Sequence, residues 1–476
     1  MKSAPRGQSP ERACTQEVTR ATPSGVRGVK PSRPRIVLAS LRQTAPAQTS
    51  PAPAPPAQTP QTPTPATTAP PNADPVAPAD SAADPQRTPQ NDRTDEIEDD
   101  IDVVRNRNTP FASGGFVFSG RAGDPGLSRL IVRDVTPGGS LTFGNAVRVG
   151  IDVHSLTLTS GTPDGLSGYR FGTLPLGARF VEQQANGYTA EVQVAGTHVG
   201  ASIGTPASEF LTKTWTGGLR LGPATGPIRL IAVRERMKDS LLSYAGERDP
   251  GSGLVWGGVV SNAVSLQASH DNEGDGQYLT LGGGLLRGEN VANNWNAEAS
   301  AGAYWSVGTG GPTSLTLGVA GTAMHYNKNL SFFSLGHGGY FSPQRFLQGS
   351  IPLSWSIRRS RVFYEMQASP GFQYFTADAA PFYPIGIGSA PAVSLATQMY
   401  DDQHRKGATY NVTARLEYRI APHVHLSAFG AANNTRDFDA HTIGIALRVL
   451  ANRLPGTTNL RVRAVPDWRG NQPLGN

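Results

Sequence analysis

Apolar and polar residues alternate in short runs from Phe111 to Leu450, and the runs are separated by Gly, Pro, Asn and Asp. Successive side chains of a β-strand point to opposite faces, so this alternation predicts strands with one apolar and one polar face. In the clearest run the apolar face carries Tyr410, Val412, Ala414, Leu416, Tyr418 and Ile420. The polar face of the same run carries Asn411, Thr413, Arg415, Glu417 and Arg419. About sixteen such segments occur, roughly one per 21 residues, which is the spacing of a strand plus its turn or loop in a β-meander.

A second run predicts a strand of membrane-spanning length. Trp295 and Trp305 stand at the two ends of one face, and the four positions between them on that face are alanines. Ten residues at a rise of about 3.3 Å, tilted by about 40°, span roughly 25 Å. That length matches the apolar band of an outer-membrane barrel, which aromatic residues flank at both interfaces.

These patterns predict an all-β fold, a single transmembrane antiparallel β-barrel of about 16 strands over residues 105–450. The alternative is a soluble β-sandwich, whose strands also alternate. Sandwich strands usually have about five or six residues, whereas several runs here reach eight to eleven. The run lengths therefore favour the membrane barrel.

The first hundred residues have a different composition. Residues 1–104 hold no aromatic residue, and 14 of the 49 residues from 43 to 91 are Pro. Residues 1–42 carry a net charge of +7, and residues 43–104 carry a net charge of −8. Such a segment cannot bury enough apolar surface to offset its conformational entropy. It predicts a disordered Pro/Ala/Thr-rich linker with a basic start and an acidic end, and residues 451–476 are predicted to form a C-terminal tail.

Composition and charge exclude several other classes. The pI of about 9.4 is not accompanied by Lys and Arg interleaved with aromatic residues, so nucleic-acid binding is not expected. The single cysteine, Cys14, excludes an intrachain disulfide framework. His423 and His425 have the i, i+2 spacing of residues on one strand face but lack a third metal ligand nearby, and no nucleophile motif or phosphate loop is present. The sequence predicts no catalytic site, no metal site and no cofactor.

Several strings resemble a known family. They include SLLSYAG at 240–246, WGGV at 256–259, ENVANNW at 289–295, GAYW at 302–305 and MHYNKNLSFFSLGHGGYFSPQ at 324–344. DAAPFYP at 378–384 fits the same pattern. Together these strings, in order over residues 111–450, closely resemble the C-terminal domain of the cellulose synthase operon protein C family.

The resemblance implies a sixteen-stranded outer-membrane porin that lets a nascent β-glucan leave the cell. It implies contact with outer-membrane lipid and with the glucan chain. It also implies a periplasmic tetratricopeptide-repeat region or subunit of the cellulose synthase complex. Residues 1–110 supply neither the aromatic positions of that repeat nor a signal peptide. We therefore expect a fragment, a mis-started frame, or repeats on a separate polypeptide.

A glucan path would combine aromatic rings with short polar side chains, because the sugars offer both CH faces and hydroxyl groups. The alternation assigns candidates to the lumen: Asn296, Glu298, Tyr304, Asn411, Arg415, Glu417 and Arg419. A neutralised ion ladder that stiffens the wall is an equally open interpretation of the three charged residues Arg415, Glu417 and Arg419.

The longest shared string also predicts a gate. Two consecutive glycines break any strand, and a proline removes a ladder donor. The loop comprises Gly336, His337, Gly338, Gly339, Tyr340, Phe341, Ser342, Pro343 and Gln344. We expect it to fold over the exit, and a self-packed Ω-loop is the alternative.

The function predicted at this point is a non-enzymatic outer-membrane channel that exports cellulose, a β-1,4-glucan, during exopolysaccharide and biofilm synthesis. Two alternatives stay open. One is a general diffusion porin or secretion translocator of the same architecture. The other is a soluble polysaccharide-binding β-sandwich.

Overall fold

The computed structural model of the chain describes residues 109–144, 147–164, 167–173, 181–223, 227–272, 275–310, 313–386, 398–435 and 438–453. The predicted linker and most of the predicted C-terminal tail lie outside the described residues. Among the residues that are described, no helix has the length and apolar character needed to cross a membrane.

Sixteen antiparallel strands form one closed barrel, as the alternation predicted. Their bounds are β1 Phe111–Arg121, β2 Leu130–Phe143, β3 Val147–Gly161, β4 Gln183–Gly196, β5 Val199–Gly204, β6 Thr216–Leu221, β7 Ile228–Arg236, β8 Val255–Asn272, β9 Asp275–Glu289, β10 Asn294–Gly310, β11 Thr313–Tyr326, β12 Arg345–Ser350 with Leu353–Arg358, β13 Val362–Ala368 with Gly371–Ala377, β14 Gln403–Thr409 with Asn411–Ala421, β15 Val424–Asn433 and β16 Ala440–Leu450.

The remaining described elements are short and lie outside the barrel wall. They are the helix α1 Leu241–Ala245, the 3₁₀ turn Ser167–Arg170, and the strand segments Glu247–Arg248, Ala380–Pro381 and Met399–Tyr400. Two of the three interrupted barrel strands break beside Pro352 and Pro370. Proline has no amide hydrogen to donate to the ladder, which accounts for these breaks.

The first and last strands close the sheet. β1 pairs with β16 in a regular antiparallel register that runs from Phe111 opposite Leu450 to Arg121 opposite Ala440. Closure leaves none of the described barrel strands as an unpaired edge, so each of them has backbone partners on both sides, as a lipid environment requires.

The two faces of the wall differ as the sequence predicted. On β14, Leu416, Tyr418 and Ile420 point outward and are 43%, 43% and 52% exposed, whereas Glu417 between them is fully buried. An apolar surface that surrounds a whole domain is untenable in water but is the normal lipid-facing band of an outer-membrane barrel.

The two ends of the barrel are unequal. Short turns connect strands at the end that holds Phe111 and Leu450, as between β4 and β5, where only residues 197–198 intervene. Longer connections lie at the other end, among them residues 162–182, 237–254, 327–344 and 378–402. Outer-membrane barrels keep short turns in the periplasm and long loops outside. We therefore assign the turn end to the periplasm and the loop end to the cell exterior.

The main apolar core lies at the loop end. Its buried members come from loops and from strand ends, and they include Phe171, Leu242, Trp256, Leu330, Phe333, Leu335, Tyr340, Phe341, Phe346, Phe375 and Tyr383. We call the layer formed by residues 167–173, 237–254, 290–293, 327–344, 378–386 and 398–402 the cap. The barrel thus has a polar inner face, an apolar outer face and a packed apolar layer at one end.

Candidate functional site: a polar lumen and its cap

The predicted path residues all lie on the inner face of the wall. Asn296, Glu298 and Tyr304 lie on β10, and Asn411, Arg415, Glu417 and Arg419 lie on β14. The two strands are four apart in a barrel of sixteen, so the two groups are separated by a quarter of the circumference. Each group is spread along its strand and lines the tube over a range of depths.

The charged residues of β14 are joined to neighbouring strands. Arg415 Nη1 lies 3.6 Å from Glu365 Oε2, and its guanidinium is stacked 5.1 Å from the centroid of the Phe363 ring. Glu417 Oε1 lies 3.0 Å from His425 Nδ1, and both side chains are fully buried. Arg415 is therefore paired in charge with Glu365 within the wall, and Glu417 is held inside the wall by its contact with His425.

The β10 group is uncharged except for Glu298. Tyr304 donates its hydroxyl hydrogen to Asp271 Oδ2 at 2.6 Å, which fixes the ring against the wall. Asn296 and Glu298 are also buried, and Ser300 shares a 2.6 Å hydrogen bond with Thr322 on β11. The short polar side chains of this strand give the lumen a hydroxyl- and amide-rich surface.

Sequence reasoning missed a second buried pair, which lies four strands around the wall from the pair of Glu417 and His425. His154 Nδ1 on β3 lies 2.9 Å from Asp134 Oδ2 on β2, and Asp134 also accepts from the Thr136 hydroxyl at 3.1 Å. The two residues are 20 positions apart on paired strands, so only the hairpin register brings them together. Alternation alone could have placed both on the inner face.

The two histidines considered as metal ligands have other partners. His425 meets Glu417, and His423 Nδ1 lies 3.1 Å from the Leu450 carbonyl oxygen. Within the described residues, no group of three His, Cys, Asp or Glu side chains is placed to hold a metal ion.

The predicted gate loop is buried inside the cap. All residues from Leu330 to Gln344 are buried, and His337 and Tyr340 are fully so. The loop has internal bonds: Gly338 N–H donates to Leu330 O at 3.1 Å and His337 N–H donates to Ser334 O at 3.0 Å. It is therefore folded on itself, but it is also bonded to its surroundings.

Four other loops hold this segment. Its carbonyls at Phe333 and Gly336 accept from Gly172 and Ala292 N–H, each at 2.9 Å. Its Phe341 N–H donates to Asp239 Oδ2 at 3.0 Å, and its His337 Nε2–H donates to Pro381 O at 2.9 Å. Gly172 follows β3, whereas the segment follows β11, eight strands away. Eight strands are half of the circumference, so the loops meet across the mouth of the barrel.

Two glycines make the fold of the loop possible. Gly336 and Gly339 have φ values of +98° and +61°, a region that side-chain-bearing residues rarely adopt. A Cβ on Gly339 would lie 2.8 Å from Ser240 Oγ and 2.9 Å from the Phe333 ring. The loop therefore needs glycine at this position for both conformation and space.

An aromatic stack attaches the loop after β13 to the residues of the 327–344 loop that immediately precede the predicted gate segment Gly336–Gln344. The Phe332 and Tyr400 rings are stacked with centroids 3.6 Å apart. The Phe382 and Tyr400 rings are also stacked, with centroids 4.7 Å apart. Tyr400 also donates its hydroxyl hydrogen to Ser334 Oγ at 3.1 Å. His337 stands edge-on to both Phe332 and Tyr400.

Burial changes the ionisation of two groups in the cap. It lowers the pKa of His337 to about 4, although the hydrogen bond to the Pro381 carbonyl opposes the shift. Burial also raises the pKa of Glu247 to about 8. At neutral pH both groups are therefore uncharged or largely so, as a desolvated layer requires.

Comparison with known proteins identifies the family. Residues 128–452 match the family described as Cellulose synthase operon protein C C-terminus. The Cellulose synthase operon protein C of Xanthomonas axonopodis pv. citri is 32% identical over 349 residues, which are 69% of this chain and 23% of that protein. The protein of the same name from Pseudomonas fluorescens is 29% identical over 370 residues, 76% of this chain and 28% of that protein. The chain thus spans about a quarter of the length of these relatives.

Two solved structures can be matched to most of the chain at low sequence identity. The match with a structure described as a bacterial polysaccharide outer membrane secretin covers 72% of this chain and 98% of the secretin chain, with 9% identity and a TM-score of 0.44. The match with OprB of Pseudomonas putida covers 73% of this chain and 95% of the OprB chain, with 9% identity and a TM-score of 0.33.

The strand pattern, the closed barrel and the family match agree with one another. The match covers about two thirds of the chain and every strand from β2 to β16. The chain belongs to the cellulose synthase operon protein C family, and its described part is the sixteen-stranded outer-membrane barrel that corresponds to the C-terminal region of that family.

Proposed function

We propose that this barrel is the outer-membrane channel through which a cellulose chain leaves the cell, and that the segment Gly336–Gln344 is its gate. The family relationship supports an association with cellulose synthesis. The observation that carries the proposal is a polar inner wall whose side chains, such as Arg415 with Glu365 and Glu417 with His425, have partners within the wall itself.

A neutral polymer suits such a wall. Cellulose has hydroxyl groups and apolar CH faces but no charge, so a strong field in the lumen would give it no advantage. The ion pair of Glu365 with Arg415 limits that field, and the contact with His425 holds the Glu417 side chain inside the wall. Residues such as Asn296 and Ser300 offer short polar contacts. Many weak contacts of this kind would hold a chain without arresting it.

The cap supports a gated channel rather than a general diffusion porin. A diffusion pore must stay open to small solutes, whereas loops here meet across the mouth and bury an apolar core. A gate that closes when no polymer is present would preserve the permeability barrier of the membrane.

We propose further that the barrel has no catalytic role. The polymer would be made elsewhere and delivered to the turn end by a periplasmic tetratricopeptide-repeat region or subunit of the synthase complex. In this proposal residues 1–104 are a linker toward that partner, residues 105–450 form the channel, and residues 451–476 are a periplasmic tail.

Secretion in cells tests the proposal. Removing the gene for this chain should abolish surface cellulose, measured as glucose released by cellulase from washed cells. Uptake of a small β-lactam, measured as periplasmic hydrolysis, should be unchanged in the same cells. Restoring the gene should restore the cellulose.

The opposite pattern would support a different function. Normal surface cellulose together with slower β-lactam uptake would indicate a general diffusion porin and would contradict the export proposal.

A further inference from the structure

A groove on the outside of the barrel lies at the loop end, between the loop that precedes β6 and strands β7 to β9. Its volume is about 360 Å³. The lining includes Lys213, Arg234, Asn262, Leu285, Arg287 and Glu289. None of these side chains belongs to the lumen or to the gate segment.

The strand register shows that the groove faces outward. Arg234 is opposite Asn262, Asn262 is opposite Leu285, and Leu285 is opposite Trp295. Residues directly opposite one another in a ladder point to the same face of the sheet. Leu285 and Trp295 are 52% and 41% exposed on the lipid-facing surface, so the whole row lies on that surface.

The groove lies at the level of an aromatic girdle. Trp215 and Trp295 are exposed at the loop end of the same outer face. Tryptophans on the outer face of a barrel sit where acyl chains give way to polar headgroups. Because the loop end faces the cell exterior, the groove meets the headgroup region of the outer leaflet.

The charge of the groove is predominantly positive. Lys213, Arg234 and Arg287 contribute three cations, and Glu289 contributes one carboxylate. Arg287 is exposed and has no hydrogen-bond or ion-pair partner in the described part of the chain. The groove therefore presents at least one cation that none of the described residues pairs with.

Arg234 is held in place by its neighbours. Its guanidinium stacks 4.7 Å from the centroid of the Trp215 ring, and Nη1 donates to Asn262 Oδ1 at 2.5 Å. Lys213 Nζ is likewise anchored, because it donates to the Ala207 carbonyl at 3.2 Å. Anchored cations lose little side-chain entropy when an anion binds.

We propose that this groove binds the phosphorylated headgroup of an outer-leaflet lipid. Guanidinium and ammonium groups are the usual partners of phosphate oxygens. The acyl chains would continue along the exposed Leu285 and Leu266 side chains below the cations. This continuity with the apolar band identifies a lipid, rather than free phosphate, as the occupant.

Titration of the full chain in detergent tests this site. The probe is bis-phosphorylated lipid A, and binding is followed by native mass spectrometry. The wild type should retain the lipid, and the double variant Lys213→Gln with Arg287→Gln should bind it at least about tenfold more weakly. The single variant Arg287→Gln alters a side chain with no partner in the described residues. It should fold normally and show a smaller loss.

The control variant is Arg133→Gln. Arg133 is an exposed arginine of β2, two residues from the outward-facing Val135, at the same end of the barrel. It should bind lipid A like the wild type, and lipid A freed of phosphate should bind weakly to every variant. Equal losses for Arg133→Gln and Arg287→Gln, or equal binding of the dephosphorylated lipid, would contradict the site. Equally tight binding of inorganic phosphate would overturn the assignment to a lipid.

Discussion

At the residue scale, the inner wall is stabilised by buried polar pairs between neighbouring strands. Glu417 with His425 and Asp134 with His154 each join two strands inside the tube. A buried polar group that loses its partner keeps its desolvation cost, so each pair couples the two strands that carry it.

Replacing Glu417 with Ala should therefore destabilise the barrel. His425 would stay fully buried without its carboxylate partner, and we expect the free energy of unfolding to fall by about 3 kcal/mol. The measurement is urea unfolding of the barrel in lipid vesicles. Glu209→Gln, at an exposed loop position, should change the value by less than about 0.5 kcal/mol. A Glu417→Ala barrel as stable as the wild type would show that the pair adds nothing.

Acidification should open the cap through His337. The closed cap holds the pKa of this side chain near about 4, and exposure on opening would return it toward the ordinary value of about 6.5. Below about pH 6.5 the open state binds a proton that the closed state does not. The closed state therefore loses up to about 1.4 kcal/mol per pH unit as the pH falls from about 6.5 to about 4.

Comparison of wild type with His337→Gln isolates this effect. Glu247 acts in the opposite direction, because its raised pKa favours the closed cap at lower pH and favours exposure as the pH rises toward about 8. As the pH falls from 6.5 to 4, the open probability of the wild-type channel should therefore rise increasingly above that of His337→Gln. An identical pH dependence for both would exclude His337 as the acid-sensitive group.

Alternation placed the wall residues on a face but could not pair them. Glu417 and His425 are eight residues apart on either side of a turn, and their contact depends on the register of that hairpin. The period of two carries no register information, so the sequence left substrate contact and a neutralised ladder equally open for Arg415 and Glu417. In the structure Arg415 and Glu417 have partners within the wall, and contact of either residue with the glucan is a proposal.

At the element scale, the cap depends on the loop after β13 as much as on the gate segment itself. Tyr400 stacks on Phe332 and Phe382 and bonds to Ser334, so one side chain connects two loops. Stacked aromatic pairs contribute about 0.5–1.5 kcal/mol each beyond the area that they bury.

Tyr400→Ala should loosen this connection and raise the open probability of the channel by about tenfold or more in planar-bilayer recordings. The matched control is Tyr410→Ala, which removes a tyrosine that is 41% exposed on the barrel surface. It should leave gating unchanged. Similar gating in both variants would show that the aromatic stack does not hold the cap closed.

Strands were predictable from the sequence because a wall with lipid on one side and polar groups on the other imposes a period of two over many residues. The same logic located the β10 tryptophans at both ends of an apolar face. Loops have no such period. The contact of Phe333 with Gly172 joins positions some 160 residues apart through irregular backbone, so the cap could be anticipated only as a loop with special glycines.

At the scale of the whole molecule, the structure is a closed barrel with an apolar outer band, a polar inner wall and a cap whose loops meet across one end. We propose that this tube conducts a β-glucan once the gate segment Gly336–Gln344 moves. The claim requires both a gate and sugar-binding contacts in the lumen.

Single-channel conductance in a planar bilayer tests this claim most directly, with the wild-type chain and a variant lacking Gly336–Gln344, each with and without cellohexaose on the periplasmic side. We expect a largely closed wild type and an open deletion variant whose current is blocked reversibly by cellohexaose and is not blocked by maltohexaose. A wild type that is already open, or a deletion variant whose current ignores cellohexaose, would contradict the claim.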